Sequence, residues 1–164
     1  MSKVIMFSRV FPAHHPLAGA PTYFVEKLNK SFMQLGINEI YLLMQYQFNI
    51  DLNLKDEFKP KHHTIRAGHR FKVGDKFSPR VWSGKPYQSK QIIIAPDIEV
   101  KKTFDFHIRK HDYFINHSPV NYNQLKVVAA NDGLSVDDFE CWFNVKKGEV
   151  FAGQIICWNE NINY

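Results

Sequence analysis

Beyond a polar stretch at 49–62, the apolar residues of this 164-residue chain recur at every second position, and turn residues interrupt them at short intervals. Successive strand side chains point to opposite faces, so this period predicts hairpins with one face buried and one wet. It is clearest in a strand predicted over Ile98 to Ile108, where Phe104, Phe106 and Ile108 alternate with Asp105, His107 and Arg109. Ahead of it, Val73-Gly74-Asp75 reads as a turn into a strand at Lys76 to Trp82. Ser83-Gly84-Lys85-Pro86 reads as a hairpin loop returning through Lys90 to Ile94. Phe151 to Trp158 is expected to close the sheet.

The first third has another rhythm. Val4 to Val10 reads as a short buried strand, and Phe11 to Pro21 as a loop, since it holds three prolines, one glycine and the pair His14-His15. A helix follows, capped by Thr22, with Phe24, Leu28, Phe32 and Leu35 on one side and Lys27, Lys30 and Gln34 on the other, ending at Gly36. Ile40 to Met44 suits a strand or a short helix. Further on, Asn121 to Ala130 reads as helical through Leu125, Val128 and Ala129, and Ser135 with Asp138 resembles a capping box before Phe139, Trp142 and Phe143. The sum is an α+β fold: a mostly antiparallel sheet, or a partly open barrel, with flanking helices.

Length allows one domain over 1–164, and a chain of this size buries about 70% of its unfolded surface, so neither disulfide nor metal is needed for stability. Hydrophobic residues at 45% and charged residues at 23% exclude disorder for most of the chain. No window reaches the ~18 apolar residues of a membrane span, and Lys3 and Arg9 interrupt the amino end, so a soluble, cytoplasmic protein without a membrane partner is expected. Cys141 and Cys157, outside any CxxC spacing, read as buried thiols. The net charge of +5 biases the chain toward anions, and 14 Phe must fill a core or stand exposed for stacking.

Three segments carry candidate chemistry. In Lys61-His62-His63-Thr64-Ile65-Arg66, alternation puts His62, Thr64 and Arg66 on one face and Lys61, His63 and Ile65 on the other; a bend would let Lys61 and Thr64 converge as base and nucleophile. The alternative is an ordinary solvated strand end. The eight histidines include His14-His15 and His62-His63 with His69 nearby, but no HExxH or Cys/His pattern occurs, so neither metal nor cofactor is expected. Lys72, Lys76, Arg80, Lys85 and Lys90 interleave with Trp82 and Tyr87, a combination suited to phosphate contacts and base stacking, and equally to a solvated strand face. Asn131-Asp132-Gly133 reads as a helix-ending turn.

Lys61-x-x-Thr64-Ile65-Arg66, Val73-Gly74-Asp75 and Asp132-Gly133-Leu134-Ser135 with Phe139 together resemble the motifs of ASCH domains, of the PUA-like superfamily, over roughly 58–158. Pro21 to Glu26 and its helix look like the first helix of such a protein. The resemblance implies a small, mostly antiparallel β-barrel with flanking helices and a basic cleft between barrel and helix that takes RNA or a modified nucleotide. The expected ligand-binding residues are Arg66, which fits the family's basic position, with Arg70 and, from the basic and aromatic hairpin, Lys72, Arg80, Trp82, Lys85 and Tyr87. A small bacterial acetylcytidine amidohydrolase of that family uses a Lys, a Thr and a Glu, which fall on Lys61, Thr64 and Asp132; the aspartate stands back by about 1.5 Å, one methylene. The leading expectation is therefore a binding module for RNA or a modified nucleoside. An amidohydrolase acting on an acetylated cytidine comes second, and an adaptor with a Phe-rich protein-binding surface third.

Overall fold

Two apolar faces on one strand organise the molecule, which is represented by a computed structural model describing residues 2–37 and 56–164. The predicted element at Ile40 to Met44 lies outside the described residues. In chain order the elements are β1 (Lys3–Met6), α1 (Phe24–Gln34), β2 (His63–Ala67), β3 (Lys76–Trp82), β4 (Gln91–Ile93) and β5 (Ile98–Glu99). There follow β6 (Lys102–Arg109), β7 (Asp112–Ile115), β8 (Ser118–Pro119), α2 (Tyr122–Asn131), α3 (Val136–Phe143) and β9 (Val150–Cys157).

One sheet holds β3 against β1, β4 and β5, with β1 parallel to β3. The other runs β2-β9-β6-β7-β8, antiparallel throughout. The α+β class expected from the sequence is present, but no strand pairing among the described residues joins the two sheets or closes either into a barrel. At the outer edge, β8 ends on Pro119, which has no N–H to offer a further strand.

The strand expected to close the sheet sits in its interior. β9 lies between β2 and β6, and it is buried on both sides: Ile156 and the following Trp158 enter a core with Ile5, Leu28, Phe32, Phe77 and Val81, while Ile155 and Cys157 enter a second core with Phe24, Ile65, Phe106, Val128 and Phe139. A strand clad on both faces reads as an unbroken apolar run, here Ile155-Ile156-Cys157-Trp158. Gly153 is a requirement of the same packing, because a Cβ there would lie 2.1 Å from the carbonyl oxygen of Arg66 on β2.

Three local differences from the sequence reading have physical causes. The single strand expected over Ile98 to Ile108 is divided between the sheets: the Val100 N–H donates to Asp75 O and the Lys101 N–H to Cys157 O, both at 2.8 Å, so the chain changes partners at that dipeptide. β7 and β8 were not expected, because their hairpins turn on Lys110-His111 and Asn116-His117, both pairs at positive φ without a glycine. At the head of α1, Tyr23 occupies the N-cap position in the left-handed region, and Thr22 Oγ1 instead accepts the Phe24 N–H at 3.2 Å. Of the two thiols, Cys157 is buried and Cys141 half-buried.

Candidate functional site

α2 ends as its sequence predicts. Gly133 takes φ 84° as the left-handed residue beyond the helix, the Leu134 N–H reaches back to Ala129 O at 2.9 Å, and the Gly133 N–H to Ala130 O at 3.0 Å. Three further carbonyls at this end are taken by two neighbouring segments, the approach to β2 and α1: Asn131 O accepts the His62 N–H at 2.8 Å, Asp132 O accepts from Lys61 Nζ, and Gly133 O accepts from Lys27 Nζ at 2.6 Å. Two ammonium groups thus sit at the negative end of the helix dipole. The Lys61 N–H donates to Lys27 O at 3.1 Å, which pins this segment to α1 as well.

Lys61 and Asp132 therefore meet. Lys61 Nζ donates to Asp132 Oδ1 at 2.5 Å and stands 4.4 Å from the centre of the Phe24 ring, with Lys61 1% and Asp132 5% exposed. The aspartate, although a methylene shorter than glutamate, makes contact because it caps the helix whose end carries it. Burial pushes the Lys61 ammonium down to about 8, against the opposing pull of Asp132. Burial likewise raises the Asp132 carboxyl, against the stabilising charge of Lys61.

His63 shares this cluster. Its Nδ1 lies 2.6 Å from the Tyr164 hydroxyl, whose oxygen accepts from Asn131 Nδ2 at 2.9 Å. The hydroxyl thus ties the imidazole to the end of α2 through Asn131. Nε2 is buried 3.9 Å from Asp132 Oδ1 and has no hydrogen-bond partner among the described residues. Burial, with Lys61 and His62 adding to it, holds His63 well below the ordinary histidine range, so the ring is neutral at pH 7. Nothing in the local sequence marked His63 or Tyr164 for this network; only the fold brings them to α2.

The remaining predicted residues divide. Thr64 is buried, and no hydrogen bond joins it to Lys61 among the described residues; alternation along β2 turns it to the Arg66 side. Arg66 Nη2 donates to Met6 O at 2.6 Å with its guanidinium 5.7 Å from the Phe7 ring centre. The Arg70 carbonyl accepts from Lys3 Nζ, and the Lys72 N–H donates to Asp75 Oδ2 at 2.9 Å. On the β3–β4 hairpin, Arg80 is held by Ser78 and Gln91, Trp82 packs on Tyr87 with ring centres 5.3 Å apart, and Lys85 and Tyr87 are exposed.

A concavity beside the Lys61–Asp132 pair falls on residues that the sequence reading does not single out for binding, and neither member of the pair lines it. A groove of about 460 Å³ is lined by Lys27, Phe58, Lys59, Lys126, Gly133 and Ser135, among others. Gly133 forms the connection: a Cβ there would lie 3.5 Å from Lys61 Cβ, so one backbone residue separates the groove from the buried pair. None of the seven predicted ligand-binding residues lines it. Residues with metal-ligating side chains converge elsewhere, at Asp105, His107 and His117.

Compared with family models, curated proteins and solved structures, the chain matches none of them.

Proposed function

We propose that this protein binds RNA or a modified nucleotide in the groove beside Lys61 and Asp132, as a divergent relative of the PUA-like ASCH domains. The supporting observation is the composition of the groove: three lysines, Lys27, Lys59 and Lys126, against one glutamate, Glu57, beside the Phe58 ring. Lysines supply phosphate contacts and a ring supplies a stacking face, and a groove of about 460 Å³ is of the size that holds a nucleotide-sized ligand. The meeting of Lys61 with Asp132 agrees with the arrangement that the family resemblance implies. The test is binding of a labelled single-stranded RNA across a salt series. Lys59→Ala combined with Lys126→Ala is expected to weaken binding and to reduce the salt slope by about 1.4, two phosphate contacts at 0.7 each. Absence of salt-dependent binding at low salt overturns the reading, and an equal loss from Arg80→Ala with Lys85→Ala moves the binding face to the hairpin.

The depressed ammonium of Lys61 favours a second reading, hydrolysis of an acetylated cytidine, because an amine titrating at about 8 is partly neutral at physiological pH and can accept a proton. There the Thr64 hydroxyl, which stands on the Arg66 side of β2 and would have to turn toward Lys61 with substrate bound, would attack the acetyl carbonyl and pass its proton to the Lys61 amine. The C–N bond would break with that proton going to the leaving amine, and water would then release acetate. Acetate release from acetylcytidine, lost in Thr64→Val with the circular dichroism spectrum unchanged, supports this reading; no release by the wild-type protein removes it.

A further inference from the structure

The geometry points to a site for a zinc-class divalent transition metal on the exposed face of the second sheet, with Asp105 Oδ2, His107 Nδ1 and His117 Nε2 as ligands. Asp105 and His107 are two apart on β6 and share a face. His117 comes from the tip of the β7–β8 hairpin. The tip is tied back to β6 at Asp105 itself, where the Asn116 N–H donates to Asp105 O and Asn116 Oδ1 accepts the Asp105 N–H, both at 3.0 Å.

The distances fit a metal better than a hydrogen-bond network. His107 Nδ1 and His117 Nε2 lie 3.2 and 3.5 Å from the same carboxylate oxygen, Asp105 Oδ2. Bonds of 2.0–2.1 Å to a tetrahedral zinc require ligand atoms about 3.3 Å apart, a value these two separations bracket. The third edge of the triangle is within 4.8 Å, and the His107 and His117 rings lie nearly parallel at 27° with centres 5.9 Å apart. Converging two imidazoles on one oxygen leaves the other oxygen to a partner, and that partner is present: His69 Nε2 lies 2.5 Å from Asp105 Oδ1. A ligating carboxylate whose second oxygen is held by an outer group is the usual way such ligands are oriented, which makes His69 a positioning residue. Opposite His107 in the register stands Ala152, so β9 places only a methyl group beside it on this face.

The turn of this hairpin sets where His117 stands. Asn116 and His117 both have positive φ, 48° and 66°, the turn for which Asn-Gly is the favoured pair. Here histidine occupies the glycine position, as His111 does in the preceding hairpin, and its ring reaches Asp105. Two histidines and a carboxylate leave a tetrahedral ion one open position. His107 and His117 also line a cavity of about 420 Å³ that includes Arg109 and Phe114, with room for water or an anionic ligand there.

Isothermal titration of the untagged 164-residue chain with zinc chloride tests this. One equivalent is expected to bind with micromolar or tighter affinity, lost in Asp105→Asn and in His107→Ala, weakened about 10- to 100-fold in His69→Ala, and unchanged in His14→Ala. Cobalt in place of zinc is expected to give the visible absorption bands of a four-coordinate ion, absent in His117→Ala. No saturable binding by the wild-type chain, or full binding by His107→Ala, overturns the assignment.

Discussion

Lys61 Nζ and Asp132 Oδ1 lie 2.5 Å apart across 71 positions of sequence, and both side chains are almost wholly withdrawn from water. Desolvating two charges consumes most of their mutual attraction, so such a pair stabilises little in total although each member depends strongly on the other. Asp132→Ala is expected to cost about 3–5 kcal/mol by leaving a buried ammonium unpaired, whereas Lys61→Met with Asp132→Asn should fall within about 1 kcal/mol of wild type or above it. Urea unfolding of the wild type, the single variant and the double variant measures the difference; equal losses in the two variants would contradict it.

The Lys61 amine is expected to titrate near 8 rather than at the ordinary 10.5, because burial penalises its charged form. The folded chain therefore binds fewer protons than the unfolded one between those two values, and this group's unfavourable contribution, complete below 8, fades as pH rises to 10.5. NMR of lysine labelled at the side-chain nitrogen should show one resonance shifting near 8. That resonance should move to lower pH in Asp132→Asn, since the carboxylate holds the value up. A Lys61 titration at the ordinary position would refute the burial argument.

Gly153→Ala should destabilise by on the order of 3 kcal/mol, since the new methyl group meets the Arg66 carbonyl in the adjoining strand. Thermal denaturation reads the loss, with Ala152→Ser on the exposed face of the same strand as the control that stays near wild type.

Tyr164→Phe removes the hydroxyl that shares a hydrogen bond with His63 Nδ1 and accepts from Asn131. The loss should be about 1–3 kcal/mol, the cost of stranding buried polar atoms. Proton–nitrogen spectra of the histidine rings should then show His63 no longer held in a single tautomer.

How much of this was legible follows from how local each signal is. Gly36 and Gly133 end their helices at φ 77° and 84°, and Ser135 accepts the Asp138 N–H, because these motifs involve neighbours in the chain. The Lys76–Trp82 strand and its turn were read to the residue for the same reason. The β6–β7 and β7–β8 hairpins escaped since Lys110-His111 and Asn116-His117 lack glycine, and their left-handed backbone is imposed by the strands on either side. Proximity of Lys61 to Asp132 was implied only by family resemblance; alternation alone gave the face Lys61 shares with His63. The groove residues Phe58 and Lys59 lay in a stretch with no periodicity to interpret. The histidines around Asp105 come from 69, 107 and 117, three places that no short motif spans.

The interior position of β9 bears on how the protein is made. A ribosome that has released the chain only as far as α3 has produced β2 and β6 with nothing between them, each offering an unpaired backbone edge. The nascent protein must carry these edges through synthesis without joining them to each other or to a neighbour. Insertion of Val150–Cys157 is thus the step that commits both cores at once, and a chaperone that shields sheet edges would act on this protein before that segment emerges.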